Sequence, residues 1–479
     1  MNGAPSSRSC IRGRLPGESI VGVGERRVEA KMDRTLFHLP EAEEETQEEE
    51  AAGQPRLKRA NRAQIRLEPM DLESTVPEEH PARLIWEFVE QLDLRPLYAQ
   101  IRAVEGHPGQ NAIDPKILMA LWLYATMEGV GSARALDRLC KEHDAYRWLL
   151  GGVTVNYHTL ADFRVEQGEV LDRLLTEGVA ALMTEGLVSL QRTAQDGMRV
   201  RASAGSGSFH RRQTLEQCLR EAEAQVQSLR GELESDPAGP SRRQRAARQR
   251  AQRERAARLR RALQHVEEIE KAKAKSGKKG DKPARASSTD AEARVMKMAD
   301  GGFRPAFNVQ MNVDVQSGIV VGWEVINVVD RGQATPMVEQ AQQRYGRPPE
   351  EHVVDGGFVA HGDIEALGER YPQTAYYAPV REPRPRPRTT RSHHPPPPPS
   401  VLAWRERMES EQAKVILKQR SATAEWANAR MRNRGLQQFL VRGLRKVKAV
   451  LLWFVLLHNL LEGHRLRQKG QAVTAMRCA

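Results

Sequence analysis

Seven consecutive residues, Phe307-Asn308-Val309-Gln310-Met311-Asn312-Val313, alternate apolar and amide side chains without a break. Most other apolar residues of this chain recur every three or four positions, so the switch to a period of two stands out. It is the mark of a strand with one face against a core. Gly318-Ile319-Val320-Val321-Gly322-Trp323-Glu324-Val325 follows across the short stretch 314–317, and the pair reads as a β-hairpin. A hairpin set among helical patterns, with further short strands to come, restricts the fold class to α/β.

A second short apolar run shows where chemistry would sit. Residues 349–358 read Pro-Glu-Glu-His-Val-Val-Asp-Gly-Gly-Phe, so a buried strand would end on Asp355 and break at two glycines. A carboxylate at the C-terminal end of a strand, followed by a sharp turn, can face a cation or a phosphate. Asp-Gly is also a common turn signal, so Asp355 alone decides nothing. Two more carboxylates extend the pattern. Residues 187–193 read as a strand running into Asp196-Gly197, and Glu425 lies in a helical stretch over 413–431.

The rest of the chain is organised around these positions. Residues 1–69 combine an acidic block (Glu41 to Glu50), a basic stretch and few apolar residues, the composition of a disordered tail. From Pro81 the pattern is helical: Leu84, Ile85, Phe88, Val89 and Leu92 form one stripe, and Asp114-Pro115 is an N-cap followed by proline at the first helical position. Ser132 and the region near Tyr157 open two more helices, giving an all-α N-terminal domain over 70–185. Short helices in succession fit a helix-turn-helix in a DNA groove, or a support for the neighbouring domain, equally well.

Over 205–285 the composition shifts to an inserted helical hairpin. Leu215, Cys218, Leu219, Ala222 and Val226 form a seam, Pro237 and Pro240 break it, and the return arm from Arg242 to Ala262 holds ten arginines and one glutamate. Arg242, Arg245 and Arg248 on that arm are candidates for phosphate contact, although a charged helix face is often only solvated. After the β-hairpin come a helix near Thr335, the strand to Asp355, a helix over 363–370 and a strand over 374–380. A proline-rich linker (381–400) precedes helices expected over 401–412, 413–431 and 436–465, and a flexible tail over 466–479.

With 479 residues and a formal net charge of +12, a polyanionic partner fits, nucleic acid first among them. The four cysteines lack any CxxC pair, which argues against a disulfide framework or a structural zinc site. The apolar run from Val447 to Leu461 is broken by Lys448 and His458 and is too short to span a bilayer, and the arginines near the N-terminus precede no apolar signal region. A cytoplasmic protein with no membrane contact is expected.

The segments AQDGMRVRASA, STDAEARVMKMADGGFRPAFNVQ, HVVDGGF and the block from Trp404 to Leu461 together resemble the DDE-type transposases of bacterial insertion sequences. IDPKILMALWLYATMEGVGSARALDRL resembles their N-terminal helical domain, and the likeness covers about 70–465. The resemblance implies a ribonuclease-H-like mixed sheet over 186–465, in which the first and fourth strands lie side by side. It implies that Asp196, Asp355 and Glu425 hold Mg²⁺ (Mn²⁺ as a substitute), because hard oxygen donors suit that ion and two such ions serve phosphoryl transfer. Arg420 and Arg432 would contact DNA. The expected partners are double-stranded DNA, both terminal inverted repeats and target, and a second copy of the chain in a homodimer associated with the nucleoid. The family commonly has tyrosine where this chain has Leu417. The other class of function is a decayed or repurposed relative that only binds DNA.

Asp290 and Asp330 compete for the acidic roles. Asp290 with Arg294 reads as an i, i+4 pair, and Asp330 as a loop or capping residue before the helix near Thr335. His458-Asn459, in an apolar helix, reads as a core pair. His393-His394 has no partner cluster to make a metal site.

Overall fold

The computed structural model describes residues 71–103, 111–235, 242–275, 283–380 and 396–478. The tail expected over 1–69, His393-His394 and most of the proline-rich linker lie outside them.

Seven helices come first: α1 (Pro81–Gln91), α2 (Arg95–Tyr98), α3 (Pro115–Met127), α4 (Ala133–Glu142), α5 (Asp144–Leu150), α6 (Tyr157–Glu166) and α7 (Gly168–Thr184). Their starts follow capping chemistry. Asp114 accepts from the Lys116 amide with Pro115 behind it, Ser132 accepts from Ala135, and Asn156 accepts from His158 and Thr159. From Leu118 to Thr126 every residue of α3 is buried, so α3 is enclosed on all sides.

Strand β1 (Arg192–Arg201) then leads into β2 (Phe209–His210), the two long helices α8 (Arg212–Ser235) and α9 (Arg242–Lys275), and β3 (Ala286–Ser287). β2 pairs antiparallel with β3 and closes the root of the helical hairpin. There follow β4 (Arg294–Lys297), β5 (Phe303–Asp314), β6 (Val320–Ile326), α10 (Ala334–Tyr345), β7 (Glu351–Val353), α11 (His361–Arg370), β8 (Ala375–Tyr377), α12 (Pro399–Glu409), α13 (Glu411–Asn433) and α14 (Leu444–Cys478).

The architecture is mixed α/β. β1 is central in the main sheet, with β5 antiparallel on one side and β7 parallel on the other, and β8 continues parallel beyond β7. The far edge of β5 carries β4 near its start and β6 further along, both antiparallel. Strand alternation gives the sheet two unlike faces. Met198, Val200, Phe307, Val309, Met311 and Val313 join one hydrophobic core with α1, α3–α7 and α14. Thr193, Gln195, Asn308, Gln310, Asn312 and Asp314 line the opposite face, which is polar yet buried. Helix α10 covers that face closely enough that a Cβ at Gly322 would meet the Met337 sulfur at 2.6 Å.

Three local expectations are corrected. β1 does not stop at Asp196 but runs five residues beyond, because Gly197 makes room for another side chain and turns nothing. The last helix begins at Leu444, not near 436. Residues 437–439 instead run beside the end of β1, with Arg201 N donating to Gln437 O (3.1 Å) and Phe439 N to Arg201 O (2.8 Å), and Gly443 at φ +86° redirects the chain into α14. Asp290 and Arg294 form no helical pair. The chain turns there, Asp290 accepts from the Gly443 amide (3.3 Å), and Arg294 donates to the Ala291 and Ala293 carbonyls. His458 and Asn459 are a core pair as expected, and both bond backbone of the β5–β6 hairpin.

Candidate active site

The parallel ladder of β1 and β7 pairs Arg192 with Glu351, Thr193 with His352 and Ala194 with Val353. Asp196 lies two residues past the last pair on β1 and Asp355 two residues past it beyond the end of β7, near enough for the two carboxylates to act on each other as like charges. Past Val354 the chain folds back on itself. The Asp355 carboxylate accepts from the Gly357 amide (2.6 Å), and a Cβ at 357 would crowd that oxygen at 2.8 Å, so glycine is what permits the turn. Burial lifts the Asp196 carboxyl above the usual carboxylate range. The Gly197 amide and Arg420 oppose the shift, while Asp355 and Asp330 add to it as like charges.

Helix α13 supplies the next layer. Ser410 caps it by accepting from Ala413, and the helix packs across β1 and its neighbours β5 and β7. Asn428, only 4% exposed, donates from Nδ2 to Asp196 Oδ2 at 2.7 Å. Glu425 lies three residues earlier, close to one helical turn. Its side chain is 61% exposed and faces Arg420 at 3.8 Å, while the Arg420 side chain is only 16% exposed. The fold therefore gathers Asp196, Asp355, Arg420 and Asn428, and leaves Glu425 at the rim, paired to Arg420. Among the described residues no group of three or more His, Cys, Asp and Glu side chains is placed to hold a metal ion. Two hard oxygen donors side by side fit a divalent cation. Glu425 would complete the set only by releasing Arg420.

Behind β1, on the polar face, stands a network that the sequence did not reveal. Asp330 is 9% exposed and accepts from Asn308 and Gln310 (2.8 Å each) and from the Arg199 guanidinium. It lies in the loop before α10, one of the two places expected for it, and its side chain caps no helix but fills the space over Gly197, where a methyl group would overlap it. Gln195 bridges Gln310 to His352, and His352 also meets the Thr193 hydroxyl. Burial pushes the His352 imidazole down to about 3, which keeps it neutral and rules it out as a proton carrier near pH 7. The alternating amides of β5 were the visible trace of this network. Asn428 had no trace beyond being a polar residue between Ala427 and Ala429.

The remaining candidates are spread out. Arg432 is exposed near the C-terminal end of α13. The side chain of Arg242 lies outside the described residues, Arg245 reaches the Glu232 carbonyl at 3.4 Å, and Arg248 is exposed. Leu417 is partly buried against a second core cluster that includes Val353, Val354 and Phe358, beside the Asp355 turn.

Residues 70–166 match the family model of a transposase domain, DUF772. The helical unit looks like a transposase domain. No curated protein and no solved structure matches the chain at a significant level. The matched span ends with α6, before β1, so it bears on the class of protein and not on the carboxylates. The helical unit and the sheet share α14 as a common wall. Trp453 of α14 is fully buried, donates to the Arg164 carbonyl at 2.9 Å and meets the Phe163 ring.

Proposed function

We propose that the chain is a DDE-type transposase that binds the ends of an insertion sequence and cuts and joins DNA strands by metal-dependent phosphoryl transfer. One observation carries the reading: the parallel pairing of β1 with β7 brings Asp355, just past the end of β7, beside Asp196 of β1, under a helix that bears Glu425. The strand order, with β1 between antiparallel β5 and parallel β7, supports a ribonuclease-H-like core. The match at residues 70–166 supports the class.

Asp196, Asp355 and Glu425 would hold Mg²⁺, or Mn²⁺ in its place. The bound ion would supply charge stabilisation for the attacking and leaving oxygens of a phosphodiester. The chain's own residues do the positioning. Asn428 fixes the rotamer of Asp196, the Gly357 amide fixes Asp355, and Arg420 stands where a phosphate oxygen would compete with Glu425 for its guanidinium. Such competition would free Glu425 to turn toward the two aspartates when DNA arrives.

The test is cleavage of duplex DNA carrying the element's terminal repeats, with Mg²⁺. Asp355→Asn is expected to keep the fold and DNA binding and to lose cleavage. Cleavage at the wild-type rate by that variant would remove Asp355 from the site. A DNA-binding protein without cleavage is the second reading, favoured by the Arg420–Glu425 pair. Wild-type protein that binds the ends yet cuts nothing with either metal would establish it.

A further inference from the structure

The root of the helical hairpin contains a second concave feature, past the C-terminal end of β1. A hollow of about 320 Å³ opens between α9 and the segment that follows β3. Arg255 and Arg258 from α9, Arg442 from the loop before α14, and His210, Ser288 and Thr289 from the strand root line it, and no carboxylate does. A wider depression next to it shares Arg258, Thr289 and Arg442 and carries Glu254, Asp290 and Glu292, so the acids stand outside the hollow itself.

The three guanidiniums are held in different ways. Arg442 is anchored, since its Nε donates to the Ser203 carbonyl at 3.1 Å. Neither Arg255 nor Arg258 has a hydrogen bond or ion pair among the described residues, and the Nε of Arg258 is buried without an acceptor. On the opposite side of the hairpin the basic groups are matched: Arg212 pairs with Glu267 and Glu270, and Arg260 with Glu223. Unpaired, partly desolvated arginines facing hydroxyls and one another form a site that lacks its anion.

We propose that this hollow binds one backbone phosphate of DNA, with Arg255 and Arg258 as the guanidinium clamp and Thr289 and Ser288 as hydroxyl donors. The proposal rests on the transposase reading and adds to it a phosphate contact that fixes how the strand lies on the protein. Seven residues of extended chain separate Asp196 from Ser203, at about 3.3 Å each, which puts the hollow roughly 20 Å from the carboxylates. Each nucleotide of one strand advances a duplex about 3.4 Å along its axis, so for a duplex lying along β1 the contact would fall about six nucleotides from the reacting bond. Shape and chemistry fit a phosphate group from any source, so a free nucleotide must be told apart from DNA.

The experiment measures binding of a random-sequence duplex to the full chain carrying Asp355→Asn, as a function of salt. With the fold intact by circular dichroism, adding Arg255→Gln and Arg258→Gln is expected to weaken binding about tenfold and to lower the log–log salt slope by about one. Arg255→Lys with Arg258→Lys should recover the slope, because the charge returns. Thr289→Glu, which leaves the helix untouched, should reproduce the loss. An unchanged slope in the double glutamine variant overturns the proposal and leaves the cleavage reading standing. Stabilisation of the wild type by a nucleoside triphosphate, with duplex binding indifferent to all three changes, overturns it in favour of a nucleotide site. A wild type that binds no duplex at all takes down the transposase reading with it.

Discussion

Asp196 carries a cost that pH can read. Burial first, then its acidic neighbours, raises its folded pKa above the ordinary 3.8. Between those two values the native carboxyl keeps a proton that the unfolded chain has released. The native state therefore binds more protons, and stability falls as pH rises through that window. Asp196→Asn removes the titration and keeps the shape. Asn428 can serve the new amide in either orientation, because its Oδ1 has no partner in the wild-type protein. The variant is expected to melt higher than wild type at about pH 7 and no higher at about pH 3, by circular dichroism. A lower melting temperature at neutral pH would show that the Asp196 charge supports the fold. Stability and the proposed chemistry thus pull in opposite directions at this residue, as they do where a site is held ready for a ligand.

The helical hairpin is the element most separate from the sheet. It has its own small core: Leu215 and Ala222 from α8 pack on Ala256, Leu259, Ala262 and Val266 from α9, with Ala284 and Ala286 sealing the root. Leu215 is fully buried there. Leu215→Ala should cost about 2–5 kcal/mol, and mostly within the hairpin. Amide hydrogen exchange is the readout: faster exchange along α8 and α9, with α14 unchanged. Equal loss of protection in α14 would mean that the hairpin and the sheet fold as one unit. Legibility in the sequence followed the same division. The leucine and alanine seam of the hairpin and the alternation in β5 are local patterns, and both elements lie where those patterns put them. The position of Asp355 at the end of a short strand was local too. The extension of β1 through Gly197 was not, because the reason for that glycine is a side chain 133 positions later, Asp330. Asn428 was hidden for the same reason, its meaning coming only from the strand it touches. The run 436–443 looked helical from its leucines, whereas pairing with the end of β1 claims its backbone.

At the scale of the whole molecule, the N-terminal helical unit and the sheet do not own separate cores. One apolar cluster runs from Ile85 and Trp122 through Trp453 to Val309 and Met311. The enclosure of α3 depends on it: α3 has contacts with α1, α5 and α6, but also with α14, more than 300 residues further along. Cutting the chain after Glu166 would strip α14 away and leave part of α3, α6 and the Trp122 neighbourhood open to water. At about 25 cal/mol per Å² of apolar surface, a few hundred Å² uncovered costs several kcal/mol, comparable to the whole stability of a small domain. Residues 71–166 made alone are therefore expected to keep helical circular dichroism but to show poorly dispersed amide resonances and no sharp thermal transition. In the longer piece 71–478 the tryptophans, all of which lie outside the hairpin, should lose their near-ultraviolet signal in one cooperative step, while the hairpin can give up its share of the far-ultraviolet helix signal earlier. A fragment 71–166 that melts sharply on its own would show that the helical unit is autonomous and that α14 only docks against it. Trp453→Ala separates the two cases a second time. In a shared core it should destabilise domain and sheet together by about 3–5 kcal/mol, whereas an autonomous domain would keep its own transition unmoved.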